Sequence, residues 1–191
     1  MAELLLGPVL RYVDDTRATV WVQTSEACEV EILGHTAETF CVFGHHYALV
    51  VVEGLEPDSE NPYEVCLGGE RVWPIDGWDF PRSSIRTIAT DRENLRIIFG
   101  SCRVAVPHTP PWTLTKDADD RGREVDALFA LARRMRERGP DEWPDQLLLI
   151  GDQVYADEDA PRTRAFIRAR RDTSGEPGEH VQDYEAYAHL Y

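Results

Sequence analysis

Lysine is nearly absent from this chain of 191 residues, since Lys116 is the single example. The 20 basic residues are therefore almost all arginine, they face 35 Asp and Glu residues, and the formal net charge is −15. A nucleic-acid-binding surface needs a local basic patch, so this class of partner is not expected. Arginine suits bidentate contacts with phosphate or carboxylate, but a GC-rich genome is the simpler explanation for the excess.

The chain also lacks long apolar runs and an export signal. It starts Met1-Ala-Glu-Leu-Leu-Leu-Gly-Pro8, without a basic n-region, and no apolar run approaches membrane-spanning length. We therefore expect a soluble cytoplasmic protein without a membrane partner. The four cysteines have no C-x-x-C spacing, which argues against a zinc knuckle. In a reducing compartment Cys28, Cys41 and Cys66 are expected to be buried thiols.

Residues 1–92 have the pattern of an all-β domain. Short segments with partial alternation and many β-branched or aromatic residues predict strands at Val9–Tyr12, Thr19–Thr24, Glu29–Leu33, Glu38–Val42 and Tyr47–Glu53, with turns such as Gly34-His35 between them. A Leu-x-Pro corner at Leu55–Pro57 precedes a Tyr-x-Val strand at Tyr63–Val65. This arrangement resembles a fibronectin type III or immunoglobulin-like (Ig-like) sandwich, with Tyr63 as the corner tyrosine.

From residue 93 the periodicity changes to strand, helix and strand. Leu95–Phe99 is a short apolar strand, and a helix is predicted over about residues 120–138, ending at Gly139-Pro140. Its apolar face comprises Val125, Leu128, Phe129, Ala132 and Met135. Residues 146–150 form the second strand, and its unbroken apolar run from Leu147 to Ile150 predicts full burial. The two strands should be parallel, with a right-handed crossover.

Chemically reactive side chains follow both predicted strands. Cys102 comes after the first strand, and Asp152 and Tyr155 come after the second. Parallel neighbours lie about 5 Å apart and end at the same sheet edge, where open α/β folds bind ligands. A thiolate, a carboxylate and a phenolate suit ferric iron, and a trivalent cation would ionise the cysteine. The alternative is structural: Cys102 as a small hydrophobe, Asp152 as a helix cap and Tyr155 as cover for a strand end.

These two blocks carry a resemblance to a known family. Gly151–Tyr155 resembles the G-D-x-x-Y block of the calcineurin-like metallophosphoesterases, which include the purple acid phosphatases. Those enzymes have Asp-x-Gly or Asp-x-His after the first strand, whereas Gly100-Ser101-Cys102 resembles the alkaline phosphatase D (PhoD-like) family. That family also has a β-sandwich before its catalytic domain. The expected fold is an all-β fibronectin type III/Ig-like sandwich at 1–92, followed by an incomplete α/β metallophosphoesterase-like domain at 93–191.

The resemblance implies a phosphomonoesterase or phosphodiesterase that acts on a small phosphate ester with iron (Fe3+) and a second, divalent ion, Ca2+. By motif position, Cys102 and Tyr155 would bind the iron, and Asp152 would bridge the two ions at the catalytic position. Two such metals clamp the phosphoryl group and activate a hydroxide. Arg103 is the candidate contact for a phosphate oxygen, the alternative being a solvated arginine. Asp157–Asp159 would either approach the second ion or form the acidic N-terminus of the next helix.

The chain departs from that family in its last part. A metallophosphoesterase domain also needs a G-N-H block and later histidines, but both asparagines, Asn61 and Asn94, precede Asp152. His180 and His189 stand in no G-H or H-x-H context. The final segment, residues 181–191, places three side chains on one helical face: Tyr184, Ala188 and Tyr191. We therefore expect the N-terminal part of a larger enzyme, with half a metal site and no activity alone.

Three other interpretations of the sequence differ in the motifs that they require. A P-loop NTPase needs G-x-x-x-x-G-K-[ST], which the sequence before Lys116 does not contain. A haloacid-dehalogenase phosphatase needs D-x-D-x-T after its first strand, where Cys102 stands instead. The remaining alternative is a non-catalytic β-sandwich interaction module with a vestigial α/β remnant.

Overall fold

The computed structural model describes residues 1–91, 93–156 and 161–190. It consists mostly of β-strands, and the chain divides into two compact units, Met1–Asn94 and Leu95–Tyr191. The sequence pattern placed this division between residues 92 and 93. Among the described residues, no helix is long and apolar enough to cross a membrane.

The described part of the first unit is built from antiparallel strands that form two four-stranded sheets. One sheet has the order β1-β2-β6-β5, the other has the order β4-β3-β8-β9, and β10 pairs separately with β7. The strands are β1 (Leu4–Val13), β2 (Ala18–Thr24), β3 (Glu29–Ile32), β4 (His35–Glu38), β5 (Phe40–Val42), β6 (His45–Val52), β7 (Glu60–Pro62), β8 (Val65–Leu67), β9 (Glu70–Trp73) and β10 (Ser84–Arg86).

The core of this unit lies between the two large sheets. Alternate residues of β2 and β6 turn inward from one sheet, and residues of β3 and β8 turn inward from the other. The fully buried members are Ala18, Val20 and Val22 of β2, Ala48, Val50 and Val52 of β6, Val30 and Ile32 of β3, Val65 of β8 and Ile85 of β10. Two antiparallel sheets that share one apolar core form a β-sandwich, which confirms the predicted all-β first domain. The finer assignment to a fibronectin type III/Ig-like sandwich stays a prediction.

The segment around residues 33–42 differs from the prediction. Leu33 and Gly34 both have positive φ (51° and 76°), so they form the tight turn, and His35 already pairs with Ile32 in β4. The predicted strand Glu38–Val42 is divided at Thr39, which exchanges hydrogen bonds with Cys28. Because β4 and β5 belong to different sheets, the chain crosses the sandwich at this residue.

Two further predictions for the first unit are wrong. Cys41 is exposed because β5 is a short edge strand whose residues all face solvent. Tyr63 is buried, and its hydroxyl bonds to Ser83, whereas a corner tyrosine bonds to the backbone a few residues upstream. Burial raises the pKa of Tyr63 to about 12. Tyr63 therefore ties the residue just before β10 to the core instead of forming the corner. Cys28 and Cys66 are half-buried.

The sandwich core gives a direct stability prediction. Ile32→Ala should lower the free energy of unfolding of the first unit by about 2–5 kcal/mol, because a fully buried side chain leaves a cavity. Ile75→Ala is the matched control, since Ile75 is 56% exposed, and it should cost less than about 0.5 kcal/mol. Urea unfolding measures both values. Equal losses in the two variants would contradict the placement of the core.

The second unit contains the predicted strand–helix–strand motif. Strands β11 (Ile97–Gly100) and β12 (Gln146–Leu149) pair in parallel, in the register Ile97↔Gln146 to Gly100↔Leu149. Helix α1 (Ala127–Glu137) and a short 3₁₀ helix (Pro140–Glu142) lie between them in sequence. Helices α2 (Pro161–Arg170) and α3 (Tyr184–Leu190) follow. The predicted parallel pairing is confirmed.

Helix α1 begins later than the predicted residue 120. The preceding residues form turns in which the N–H groups of Arg123 and Glu124 donate to the carbonyls of Trp112 and Leu114. Gly122 lies so close to the Thr115 carbonyl that a Cβ atom there would collide with it. Asp126 then caps the helix, because its carboxylate accepts the N–H groups of residues 128 and 129. The first residues of the predicted helix, before Asp126, therefore form turns instead.

The predicted burial of the second strand is wrong for the described structure. All four residues of β12 are exposed, and Ile150, which follows the strand, is 61% exposed. The reason is that β11 and β12 form a two-stranded sheet, so neither strand is covered as the central strands of a larger parallel sheet are.

Helices α2 and α3 pack against each other through an aromatic contact. The ring of His189 stacks on Phe166 with centroids 4.3 Å apart, and His189 Nδ1 lies 3.4 Å from Thr163 Oγ1. Ile167 and Leu190 are buried at the same helix pair. The predicted face of Tyr184, Ala188 and Tyr191 is not the buried one. Ala186 and Leu190 face inward, Tyr184 is exposed, and Tyr191 lies outside the described residues.

This helix pair should become less stable in mild acid. Burial, and to a smaller degree the positive charge of Arg162, lower the pKa of His189 below its ordinary value of 6.5. In acid the unfolded chain therefore binds a proton that the folded pair does not. The contribution of His189 is complete above pH 6.5 and is lost as the pH falls below that value.

Thermal unfolding followed by circular dichroism between about pH 8 and about pH 5 tests this, because most carboxylates stay ionised over that range. His189→Gln should flatten the pH dependence, because it removes the group whose pKa is lowered by folding. An identical pH profile in wild type and His189→Gln would contradict the assignment.

Candidate metal centre

The centre lies at the carboxyl ends of β11 and β12, where the two segments remain connected past the last strand residues. The N–H of Ile150 donates to the carbonyl of Gly100 at 3.0 Å, and the N–H of Cys102 donates to the carbonyl of Gly151 at 3.3 Å. The N–H of Arg103 then donates to the carbonyl of Asp152 at 2.8 Å. The backbone therefore fixes Cys102 and Asp152 next to each other.

Both of these residues have an unusual backbone conformation. The φ angles are 58° at Cys102 and 49° at Asp152, in the left-handed region that few residues other than glycine adopt. Gly151, between the strand and Asp152, has φ of 119°. Conformations of this kind cost free energy and occur often at functional sites, where the surrounding structure holds them. The two segments therefore turn sharply at the residues that carry the candidate ligands.

The three candidate ligand side chains converge on one oxygen atom. Cys102 Sγ lies 3.6 Å from Asp152 Oδ2, and the Tyr155 hydroxyl lies 3.5 Å from the same atom. Cys102 and Asp152 are exposed, and Tyr155 is half-buried. The structure thus brings together three residues that the sequence placed at a common site, from two segments of the second unit.

The neighbouring side chains of the cluster raise the pKa of Tyr155. The hydrogen bond with Cys102 is the largest cause that raises the pKa of Tyr155, followed by burial and by the negative charge of Asp152, and the pKa reaches about 12. Without a cation nearby, the phenol is therefore held in its protonated, hydrogen-bond-donating form. A metal ion has the opposite effect, since it stabilises thiolate and phenolate.

Arg103 is placed differently from the other candidates. Its guanidinium makes a bidentate ion pair with Asp126, from Nε to Oδ1 at 3.0 Å and from Nη2 to Oδ2 at 2.8 Å. The side chains of Arg103 and Asp126 are only 14% and 7% exposed. The pair therefore belongs to the interior of the unit, and a contact of Arg103 with phosphate stays a prediction.

Two contributing residues were not found from the sequence. Asp126 directly precedes the first helical residue, and an acid at that position is a typical N-cap signal, so the cap was detectable although its pairing with Arg103 was not. Gln153 Nε2 lies 3.5 Å from the carbonyl of Gly100 and donates to that of Gly151, which ties the loop after β12 to the end of β11. A glutamine in a loop carries no such signal.

The donor set fits a ferric ion. One sulfur and two kinds of oxygen donor, all able to ionise, match the ligands that a trivalent metal accepts. The described residues contain no group of three His, Cys, Asp or Glu side chains able to hold a metal, and here the third donor is a tyrosine. Asp157–Asp159, the predicted neighbours of a second ion, lie outside the described residues.

Comparison with known proteins concerns the first unit only. Residues 1–85 match the family model described as Domain of unknown function (DUF7800). No curated protein and no solved structure matches the chain. The matched region runs from β1 into β10 and ends before β11, so it does not include the candidate centre.

The turn that presents Asp152 should be sensitive to a single methyl group. Gly151→Ala should lower the free energy of unfolding by about 1–3 kcal/mol, because a φ of 119° is strained for any residue with a Cβ atom. Gly139→Ala is the matched control, since Gly139 has φ of −71° and open space around it, and it should be nearly neutral. Urea unfolding of the full chain measures both changes. A neutral Gly151→Ala would show that this turn is not held as described.

Proposed function

We propose that this chain is part of a metal-dependent phosphoric ester hydrolase of the alkaline phosphatase D type, with a metallophosphoesterase-like second unit. The observation that carries the proposal is the convergence of Cys102 Sγ and the Tyr155 hydroxyl on Asp152 Oδ2, at 3.6 and 3.5 Å. Neither a buried core nor a helix cap needs these three groups together on an exposed sheet edge.

The proposed ligands of Fe3+ are Cys102, Asp152 and Tyr155. Asp152 is also the proposed bridge to a second ion, Ca2+, since a carboxylate has two oxygen atoms with which to bind cations. When bound, the two ions would polarise a phosphate ester and supply a hydroxide as the nucleophile. The substrate class is therefore a small phosphate ester, and Arg103 stays the predicted contact for one of its oxygens.

The chain's own residues have two tasks in this proposal. The backbone hydrogen bonds from Cys102 and Arg103 to Gly151 and Asp152 set the spacing of the sulfur and the carboxylate before any ion arrives. The side chains then exchange protons for a cation, because the thiol and the phenol must both ionise to bind it. Binding should therefore release protons, and affinity should rise with pH.

A cytoplasmic location is proposed as well, and it is supported by four cysteines that are all unpaired thiols.

Ferric binding by the expressed chain tests the proposal. Fe3+ supplied as a citrate complex should produce a visible phenolate-to-iron charge-transfer absorption, because Tyr155 would bind as the phenolate. Tyr155→Phe should abolish that absorption, and Cys102→Ala should weaken iron binding. Tyr184→Phe is the matched control, since Tyr184 is an exposed tyrosine on α3, and it should leave the absorption unchanged.

Hydrolysis is measured separately, on a version extended through the downstream reading frame and supplied with Fe3+ and Ca2+. It should hydrolyse p-nitrophenyl phosphate, and Cys102→Ala should reduce the rate by more than the about 10–100-fold that is typical for loss of a residue that only orients a metal ligand. An inactive extended protein with both metals present, or full activity after Cys102→Ala, would overturn the assignment.

A second function is favoured by the outer surface of the sandwich. Strand β6 is apolar on both faces, since Tyr47, Leu49 and Val51 turn outward while Ala48 and Val50 turn inward. Trp21 and Phe40 lie beside Tyr47, with ring centroids 5.7 and 5.8 Å from it. A partly exposed apolar and aromatic face of this kind is typical of protein interaction surfaces. If the wild-type chain binds no Fe3+, the non-catalytic interaction module becomes the better interpretation.

A further inference from the structure

The carboxylate of Asp126 joins the segment that follows β11 to the first turn of α1. It accepts hydrogen bonds from Arg103 Nε at 3.0 Å and Nη2 at 2.8 Å. It also accepts the N–H groups of Leu128 at 3.0 Å and Phe129 at 3.3 Å, which cap α1. A buried carboxylate with four donors is fully satisfied, so its position is well defined.

Arg103 links the fixed carboxylate of Asp126 to the candidate centre. It follows Cys102 directly, and its N–H donates to the carbonyl of Asp152 at 2.8 Å. Its guanidinium is held by Asp126 at one end, and its backbone is held by Asp152 at the other. Any rotation of the Cys102 segment away from Asp152 therefore has to break the ion pair or the backbone hydrogen bond.

We propose that Asp126 is a positioning residue for the metal centre: through Arg103, it holds the backbone of Cys102 and Asp152 in the turn that brings Sγ and Oδ2 together. The inference rests on the proposed function and adds to it a residue that touches neither the metal nor the substrate. Cys102 and Asp152 both have left-handed φ angles, 58° and 49°, and residues in that region relax towards ordinary conformations when the surrounding contacts are lost. Residues that orient metal ligands in this way commonly change affinity by about 10–100-fold when they are replaced.

Ferric binding by the full chain provides the test, with affinity measured by competition against citrate. Asp126→Asn is the first variant, because asparagine caps helices as well as aspartate does but cannot form a charged pair with Arg103. Arg103→Lys is the second, because it keeps the charge and removes the bidentate geometry. Both should weaken Fe3+ binding about 10–100-fold and reduce the charge-transfer absorption, while far-UV circular dichroism stays unchanged.

The chain offers a matched control for the loss of an aspartate–arginine pair. Asp119 also binds Arg121 in a bidentate manner, with both distances 2.9 Å, and it accepts the Arg121 N–H within its own loop. Asp119→Asn therefore removes a second bidentate pair, which is more exposed than the pair of Arg103 and Asp126 and lies within one loop. It should leave ferric affinity and absorption unchanged.

The outcomes distinguish a failure of the proposed function from a failure of the positioning role of Asp126. No ferric binding by wild type overturns the proposed function and this inference with it. Ferric binding that is normal in folded Asp126→Asn and Arg103→Lys leaves the proposed function in place and overturns the inference, since the pair is then only structural. If Asp126→Asn loses helical signal, Arg103→Lys decides alone, because it retains the cap of α1.

Discussion

The parallel pairing of β11 with β12 is the constraint on which the candidate centre depends. Antiparallel strands would place the ends of the two segments at opposite edges, and Cys102 would then lie far from Asp152. The pairing continues past the strands through backbone hydrogen bonds from Ile150, Cys102 and Arg103. The side chains that converge on Asp152 Oδ2 therefore do so because the backbone has already been aligned. The ion pair between Arg103 and Asp126 adds a connection from this edge to the start of α1.

The position of the centre was predictable because it follows from topology. Short apolar strands on either side of an amphipathic helix indicate a parallel pair, and parallel strands end at one edge. Cys102, Asp152 and Tyr155 can be placed together on that ground alone. The partner of Arg103 could not, because a residue that follows Cys102 in a loop can turn its side chain to either side. The N-cap role of Asp126 can be predicted from the local sequence, whereas its ion pair with Arg103 depends on the tertiary structure.

The strands also differ in how far their structure could be predicted from the sequence, for other physical reasons. The partial alternation in the sequence predicted the strands that became β2 and β6, and the structure shows that their alternate residues face inward. The crossing at Thr39 was not predictable, because one extended segment with a single hydroxyl residue inside it looks like one strand. The exposure of β12 was also missed. Whether an apolar strand is buried depends on the elements that pack over it. The local sequence shows only that the strand is apolar enough to be buried.

The register of β11 and β12 also has a consequence for the order of events during folding. The hydrogen bonds that align Cys102 with Asp152 join segments separated by the whole of the intervening loop and α1, so they close only after that long stretch of chain has been brought back. Helix α1 and its cap at Asp126, in contrast, are local and can form early. The capped helix would then present its carboxylate to Arg103 as the strands close. A cation arriving before that moment would meet three separate side chains, and only the closed pair would present them as one site.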